Sequence, residues 1–204
     1  LAFVVLALVL LIANWKHFPK KQEEESIWSR EFWMFVGAIV LLGSAFQITF
    51  TTSIPVWNKI FGSNLAPPID AIEHFNSWQL PFAIIVSILI AIGQYFKYKK
   101  TDPAKFMKNI SLSLGLSVIL AGVFVFLLEM YNFLYFLMLF ATMFAVIANL
   151  SYFLRILKGK TRLAGASIAH VGFGLLLMGA LISTSMSEII SQNTSGVDLE
   201  KLGD

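Results

Sequence analysis

The chain has no cysteine among its 204 residues, so its side chains offer no disulfide, no thiolate nucleophile and no thiolate metal ligand. Charge is scarce too: 13% Asp, Glu, Lys and Arg, where soluble domains usually carry about a quarter. There is no internal repeat, P-loop, dinucleotide fingerprint or metal-ligand cluster. Of three histidines, only His170 falls inside an apolar span. What is abundant is apolar surface. The chain is 57% hydrophobic with mean hydropathy +0.76, the composition of a polytopic membrane protein. The net charge of +3 comes from basic residues in short connections rather than on one solvated face, which gives no reason to expect nucleic acid as a partner.

Six apolar spans follow one another: 1–15, 32–52, 78–96, 110–128, 132–154 and 164–185. The last five have the length of a membrane-crossing helix and are too long for barrel strands. The expected fold is therefore all-α, a polytopic membrane helical bundle over 1–185. It has five complete transmembrane helices and a first span that reads as the tail of a truncated helix. That span lacks the basic start and small-residue cleavage site of a signal peptide. The chain reads as a section of something longer.

Sorting the connections alternately places thirteen cations on one side: Lys16, Lys20, Lys21, Arg30, Lys97, Lys99, Lys100, Lys105, Lys108, Arg155, Lys158, Lys160 and Arg162. Only Lys59 and Lys201 fall on the other side. By the positive-inside rule, 16–31, 97–109 and 155–163 are expected to be cytoplasmic, with 53–77 and 186–204 extracytoplasmic. The setting implied is a bacterial inner membrane, with lipid as the surroundings. Trp15, Trp28, Trp33, Trp57 and Trp78 all lie near span ends, as interfacial anchors do.

The connections give further expectations. Glu23, Glu24 and Glu25 beside Lys20 and Lys21 read as a solvated face. Ser29-Arg30-Glu31 is suited to cap the following helix. In 53–77, Pro68 with Ile69, Ile72 and Phe75 predicts a short interfacial helix, with Asp70, Glu73, His74 and Asn76 on its wet side. Thr101-Asp102-Pro103 predicts a break, and Glu129-Met130-Tyr131 a tight outer turn where Glu129 meets water. Phe136, Phe140 and Phe144 form a packing or lipid-facing stripe. The polar tail 186–204 reads as the start of a domain the chain lacks, and Asn193-Thr194-Ser195 is formally a glycosylation acceptor.

An ionisable side chain inside a membrane is costly, so His170 is the leading functional candidate. The residues four positions to either side are Ala166 and Gly174, which leaves a groove beside the imidazole. Gly165, Ala169 and Gly172 keep the neighbouring faces small as well. Such a histidine can be an axial ligand for haem iron, or it can simply hydrogen-bond a neighbouring helix. His74 lies beyond the far end of the membrane from it, and His17 lies at the surface.

The order of Ser29-Arg30-Glu31 before a helix, His74-Phe75-Asn76 before the next, and Ala169-His170-Val171-Gly172 within a later one resembles the CcmF-type cytochrome c haem lyase subunits. These are relatives of the CcsA-type haem-handling proteins. The resemblance runs in motif order over about Leu1–Ser185, a central to C-terminal section of such a protein. It implies that His170 is an axial ligand of a haem b, with Ala166 and Gly174 beside it and the second axial ligand outside this chain. The family's other transmembrane histidine, its tryptophan-rich segment and its outer histidines have no counterpart here. His74 stands where the family often has tyrosine in Pro-Tyr-Phe-Asn, so no ligand role passes to it. The implied partners are haem, a haem chaperone, apocytochrome c and other maturation subunits, and the implied role is to assist covalent haem attachment. The catalytic residues are not identifiable, and the section alone is expected to be inactive. The competing classes are a polytopic transporter using His170 and Glu129, and a non-catalytic helical scaffold.

Overall fold

A computed structural model describes residues 2–17 and 26–187. The run Lys20–Glu25, Lys201 and the sequon at Asn193 lie outside the described residues. Seven helices occur among those that are described: α1 (Ala2–Ala13), α2 (Arg30–Thr52), α3 (Ile54–Phe61), α4 (Ala71–Ile92), α5 (Pro103–Leu127), α6 (Phe133–Ser151) and α7 (Gly165–Ser185). There is no strand among them. With the short turns that extend α4 to Tyr95 and α6 to Ile156, five helices are long and apolar enough to cross a membrane. The protein is an all-α integral membrane bundle.

The five crossing helices alternate in direction, so one end of the bundle collects Arg30, Lys97–Lys100, Lys105, Lys108 and Arg155–Arg162. We call this the basic end. The central element is α6. It packs against α4, α5 and α7, while α2 lies outside against α4. Small residues let its neighbours approach: Ala141, Ala145 and Ala148 are all fully buried. Phe144 and Leu139 fill the core beside them, and Phe140 stacks on Phe144 with ring centroids 6.0 Å apart. The phenylalanine stripe is therefore packing. By contrast α1 is apolar all round and exposed along its length, with Phe3 at 86%.

Helix starts follow their capping residues. Ser29 caps α2 by accepting from the Phe32 amide at 3.1 Å. Asp102 caps α5 with Pro103 in its first turn, and Asn132 caps α6. Thr101-Asp102-Pro103 thus ends one connection and starts the next helix, seven residues before the expected span. At the opposite turn, Glu129 is exposed with φ +53°.

Two differences from expectation concern the 53–77 connection. Asp70, not Pro68, begins the helix there, accepting from the Glu73 amide at 2.9 Å, and α4 then runs unbroken to Ile92. No separate interfacial helix exists at 68–77. A capped start followed by continuous helical backbone merges the short helix with the span, and Pro81 falls in the helix interior. The second difference is α3. It has Pro55 in its first turn and ends on Gly62 at φ +64°, a start and stop pair visible in the sequence.

Candidate functional site

His170 lies in the second turn of α7, near the basic end, and is half-buried. Three polar side chains surround its Nδ1 side. Asn149 of α6 is 1% exposed, and its Nδ2 donates to the Ile90 carbonyl at 3.0 Å and the Ala145 carbonyl at 2.8 Å. Those two bonds fix the amide, leaving Oδ1 as the acceptor facing α7. The Nε2 of Gln94 donates to that Oδ1 at 2.8 Å, which turns its own Oε1 to accept from Ser167 Oγ at 2.7 Å. The orientation of the whole cluster is thus inherited from two backbone carbonyls.

The imidazole Nδ1 sits 3.1 Å from Gln94 Nε2 and 3.3 Å from Asn149 Oδ1. One neighbour is a donor and the other an acceptor, so the ring is held in either tautomer. With Nδ1–H directed to Asn149, the Nε2 lone pair is free, and nothing among the described residues hydrogen-bonds it. A carbonyl behind one imidazole nitrogen, with the other left open, is the arrangement of metal-bound histidines.

The two positions flanking His170 differ in their surroundings. Ala166 is exposed. Gly174 is buried on α6, where an added Cβ would lie 2.9 Å from Val146 Cγ2 and 3.3 Å from the Thr142 carbonyl oxygen. Gly174 therefore sets the α6–α7 approach, and the space beside it is filled by protein. The open side of His170 is instead the face bearing Ala166, Ala169, Gly172 and Phe173, all exposed. No atom outside the helix's own backbone would touch a Cβ added at Gly165 or Gly172.

Arg30 joins this cluster from α2. Its Nη2 donates to the Gln94 carbonyl at 3.0 Å, placing a cation at the C-terminal end of α4. The Arg30 amide donates to the Lys97 carbonyl at 2.9 Å, which ties the start of α2 to the connection after α4. Ser29 and Arg30 therefore both act structurally, Ser29 as a cap and Arg30 as the clamp on the segment carrying Gln94.

His74 has a cluster of its own. Rather than facing water, it is half-buried between α2 and α4, with its Nε2 3.3 Å from Gln47 Nε2 and 3.5 Å from Thr51 Oγ1. Gln79 Nε2 donates to Gln47 Oε1 at 2.7 Å, and Ser44 Oγ donates to Gln79 Oε1. Since His74 and Gln94 lie twenty residues apart on one helix, this cluster is about 30 Å from the other. The two histidines cannot share one iron. His17 follows α1 in an exposed turn. A cavity of about 210 Å³ between α4, α6 and α7 is lined by Gln79, Leu177 and Leu181, away from His170. No group of three or more His, Asp or Glu side chains that could hold a metal occurs among the described residues.

Gln94, Asn149 and Ser167 are partners that the motifs did not identify. A signal for two of them was available. Apart from Asn132, which caps α6, the only amide side chains in the five complete spans are Gln47, Gln79, Gln94 and Asn149. All four are in the two histidine clusters. No protein-family model, curated protein or solved structure matches the chain.

Proposed function

We propose that the chain is a section of a CcmF-type membrane subunit of cytochrome c maturation, with His170 an axial ligand of haem b. The observation that carries this reading is the polarity of the imidazole: Nδ1 is held by Asn149 and Gln94, while Nε2 is unpaired on a helix whose exposed face is small. A flat macrocycle needs a bare helix surface beside its ligand, and Ala166, Ala169 and Gly172 supply one. Gly174 supports the site indirectly, by seating α7 on α6 so that Asn149 reaches the ring.

In this reading haem b, when bound, supplies an iron that changes oxidation state, the means of keeping substrate haem reduced during thioether formation. This chain's residues have separate roles. Asn149 Oδ1 accepts the Nδ1 proton and so keeps Nε2 unprotonated for the metal. Gln94 donates to that same acceptor, and Arg30 holds the Gln94 carbonyl in register. The second axial ligand comes from outside the described residues, because His74 is about 30 Å away. A haem chaperone, apocytochrome c and further maturation subunits are the partners that follow.

The test is an optical spectrum of the full-length protein or its purified complex, with and without His170→Ala. A six-coordinate b-type spectrum that collapses in the variant is expected. The same spectrum in both proteins would overturn the assignment.

A further inference from the structure

At the basic end, on the side of α6 away from α7, two cavities adjoin between α5 and α6. The first, about 160 Å³, is lined by Lys108, Asn109, Ser151, Arg155, Tyr95 and Ile156. The second, about 210 Å³, lies deeper and has an apolar wall of Leu112, Leu116, Ile147, Leu150 and Leu154. Ser151 and Arg155 line both, so the two adjoin across these side chains. No carboxylate lines either one.

The sequence builds this shape from two antiparallel rows. Lys108, Leu112 and Leu116 succeed each other at intervals of four on α5, and Arg155, Ser151 and Ile147 do so on α6. Each row starts with a cation at the basic end and becomes small or apolar toward the bilayer interior. Over the eight residues of each row the groove descends about 12 Å. The turn that carries Arg155 is unusual: Tyr152–Ile156 is π-helical, and the Leu157 amide donates to the Tyr152 carbonyl at 3.1 Å. Such a turn widens the helix and re-aims its side chains, and π turns are frequent at functional sites.

We infer that this pair of cavities is a binding site for one anionic phospholipid, its headgroup phosphate between Lys108 and Arg155 and an acyl chain in the α5–α6 groove. The charge is complementary: two cations with no carboxylate beside them, and Asn109 and Ser151 able to donate to the remaining phosphate oxygens. A polar cavity adjoining an apolar one suits a lipid better than inorganic phosphate, since only a lipid has a part for each. Basic pockets between transmembrane helices bind acidic headgroups in this way.

Native mass spectrometry of the full chain in mild detergent tests the site, using dioleoylphosphatidylglycerol and dioleoylphosphatidylcholine as probes. The phosphatidylglycerol adduct is expected to be at least about tenfold preferred. Removing both cations in Lys108→Ala/Arg155→Ala should weaken it about twenty-five-fold, at about fivefold per cation. Leu116→Trp, which fills the groove, should weaken it with both cations intact. Lys105→Ala/Lys158→Ala removes the same charge outside the cavities and should leave the adduct unchanged. A thermal melt of each variant checks that it is folded, and Leu116→Trp tests the groove independently of the cations. Equal retention of the two lipids, or an equal loss in the Lys105/Lys158 variant, would overturn the site as a diffuse charge effect. Displacement of the lipid by millimolar inorganic phosphate, with no effect of Leu116→Trp, would overturn it as an anion site only.

Discussion

The two histidine clusters are built from the same parts and end with opposite nitrogens available. At His170 the ring is held through Nδ1, and its outer nitrogen is left free beside an exposed small-residue face. At His74 it is Nε2 that faces Gln47 and Thr51, so the nitrogen left over is Nδ1, the one crowded by its own backbone. The chemistry of the amide partners explains part of this. Gln47 offers His74 only N–H, because its Oε1 already accepts from Gln79. Asn149 offers His170 an acceptor, because its N–H groups are held by two backbone carbonyls. The Asn149 acceptor allows His170 to carry its proton on Nδ1 and leave Nε2 open, while the His74 imidazole links α2 to α4 through Nε2.

The sharpest way to break this contrast is to separate α7 from α6. Gly174→Val puts side-chain carbon against Val146 and a backbone carbonyl, and overpacking of this kind costs about 3 kcal/mol. A detergent melt should show that loss, together with loss of any spectrum dependent on His170. Gly172→Val, at a position that meets nothing, should change the melt little.

Next comes Asn149→Ala, which removes the fixed acceptor and leaves the Ile90 carbonyl, the Gln94 amide and His170 Nδ1 each short of an interhelical partner. Interhelical hydrogen bonds in membranes average about 0.6 kcal/mol each, so three of them give a loss of about 2 kcal/mol. Its particular signature is the ligand: removing the group behind a metal-bound histidine lowers retention about ten- to a hundredfold. Haem content after purification, compared with Asn149→Asp, checks this. Unchanged content would remove the distinction drawn between the two clusters.

Ser29→Ala loosens the cap that positions Arg30 on the Gln94 carbonyl, at a cost of about 1 kcal/mol measured by melting. The smallest effect is expected at the other cluster. Gln47→Ala should cost about 0.6 kcal/mol per lost interhelical bond. It should leave any spectrum due to His170 unchanged, since the site lies about 30 Å away. A spectral change on Gln47→Ala would show the two clusters to be coupled.

The legible part of this molecule can be followed residue by residue. Ser29 caps α2 as its place before that span implied, whereas Asp102-Pro103, expected only as a break, starts α5, and α3, with Pro55 in its first turn and Gly62 at its end, was not expected. The merging of 68–77 with the span after it was not legible, because the polar start of α4 dilutes the apolar signal while Asp70 still begins a continuous helix. For the site, sequence pointed to His170 and its small neighbours. It did not distinguish Ala166, which stays open, from Gly174, which is covered. Spacing of four puts both on one stripe of α7, and only the crossing angle with α6 decides where the stripe is covered.

By itself the sequence determined the five apolar runs long enough to cross a bilayer, the gathering of cations in alternate connections, and the Ser29 cap of α2. Those are one-dimensional properties, because a bilayer senses the length of an apolar run and the charges at its ends. Only the tertiary structure decided what meets His170. Gln94 is 76 residues from it and Asn149 is 21, and their encounter depends on how three helices rotate and cross. Those rotations follow from close packing at Gly174 and the buried alanines of α6. The same packing therefore decided which nitrogen of His170 is left open.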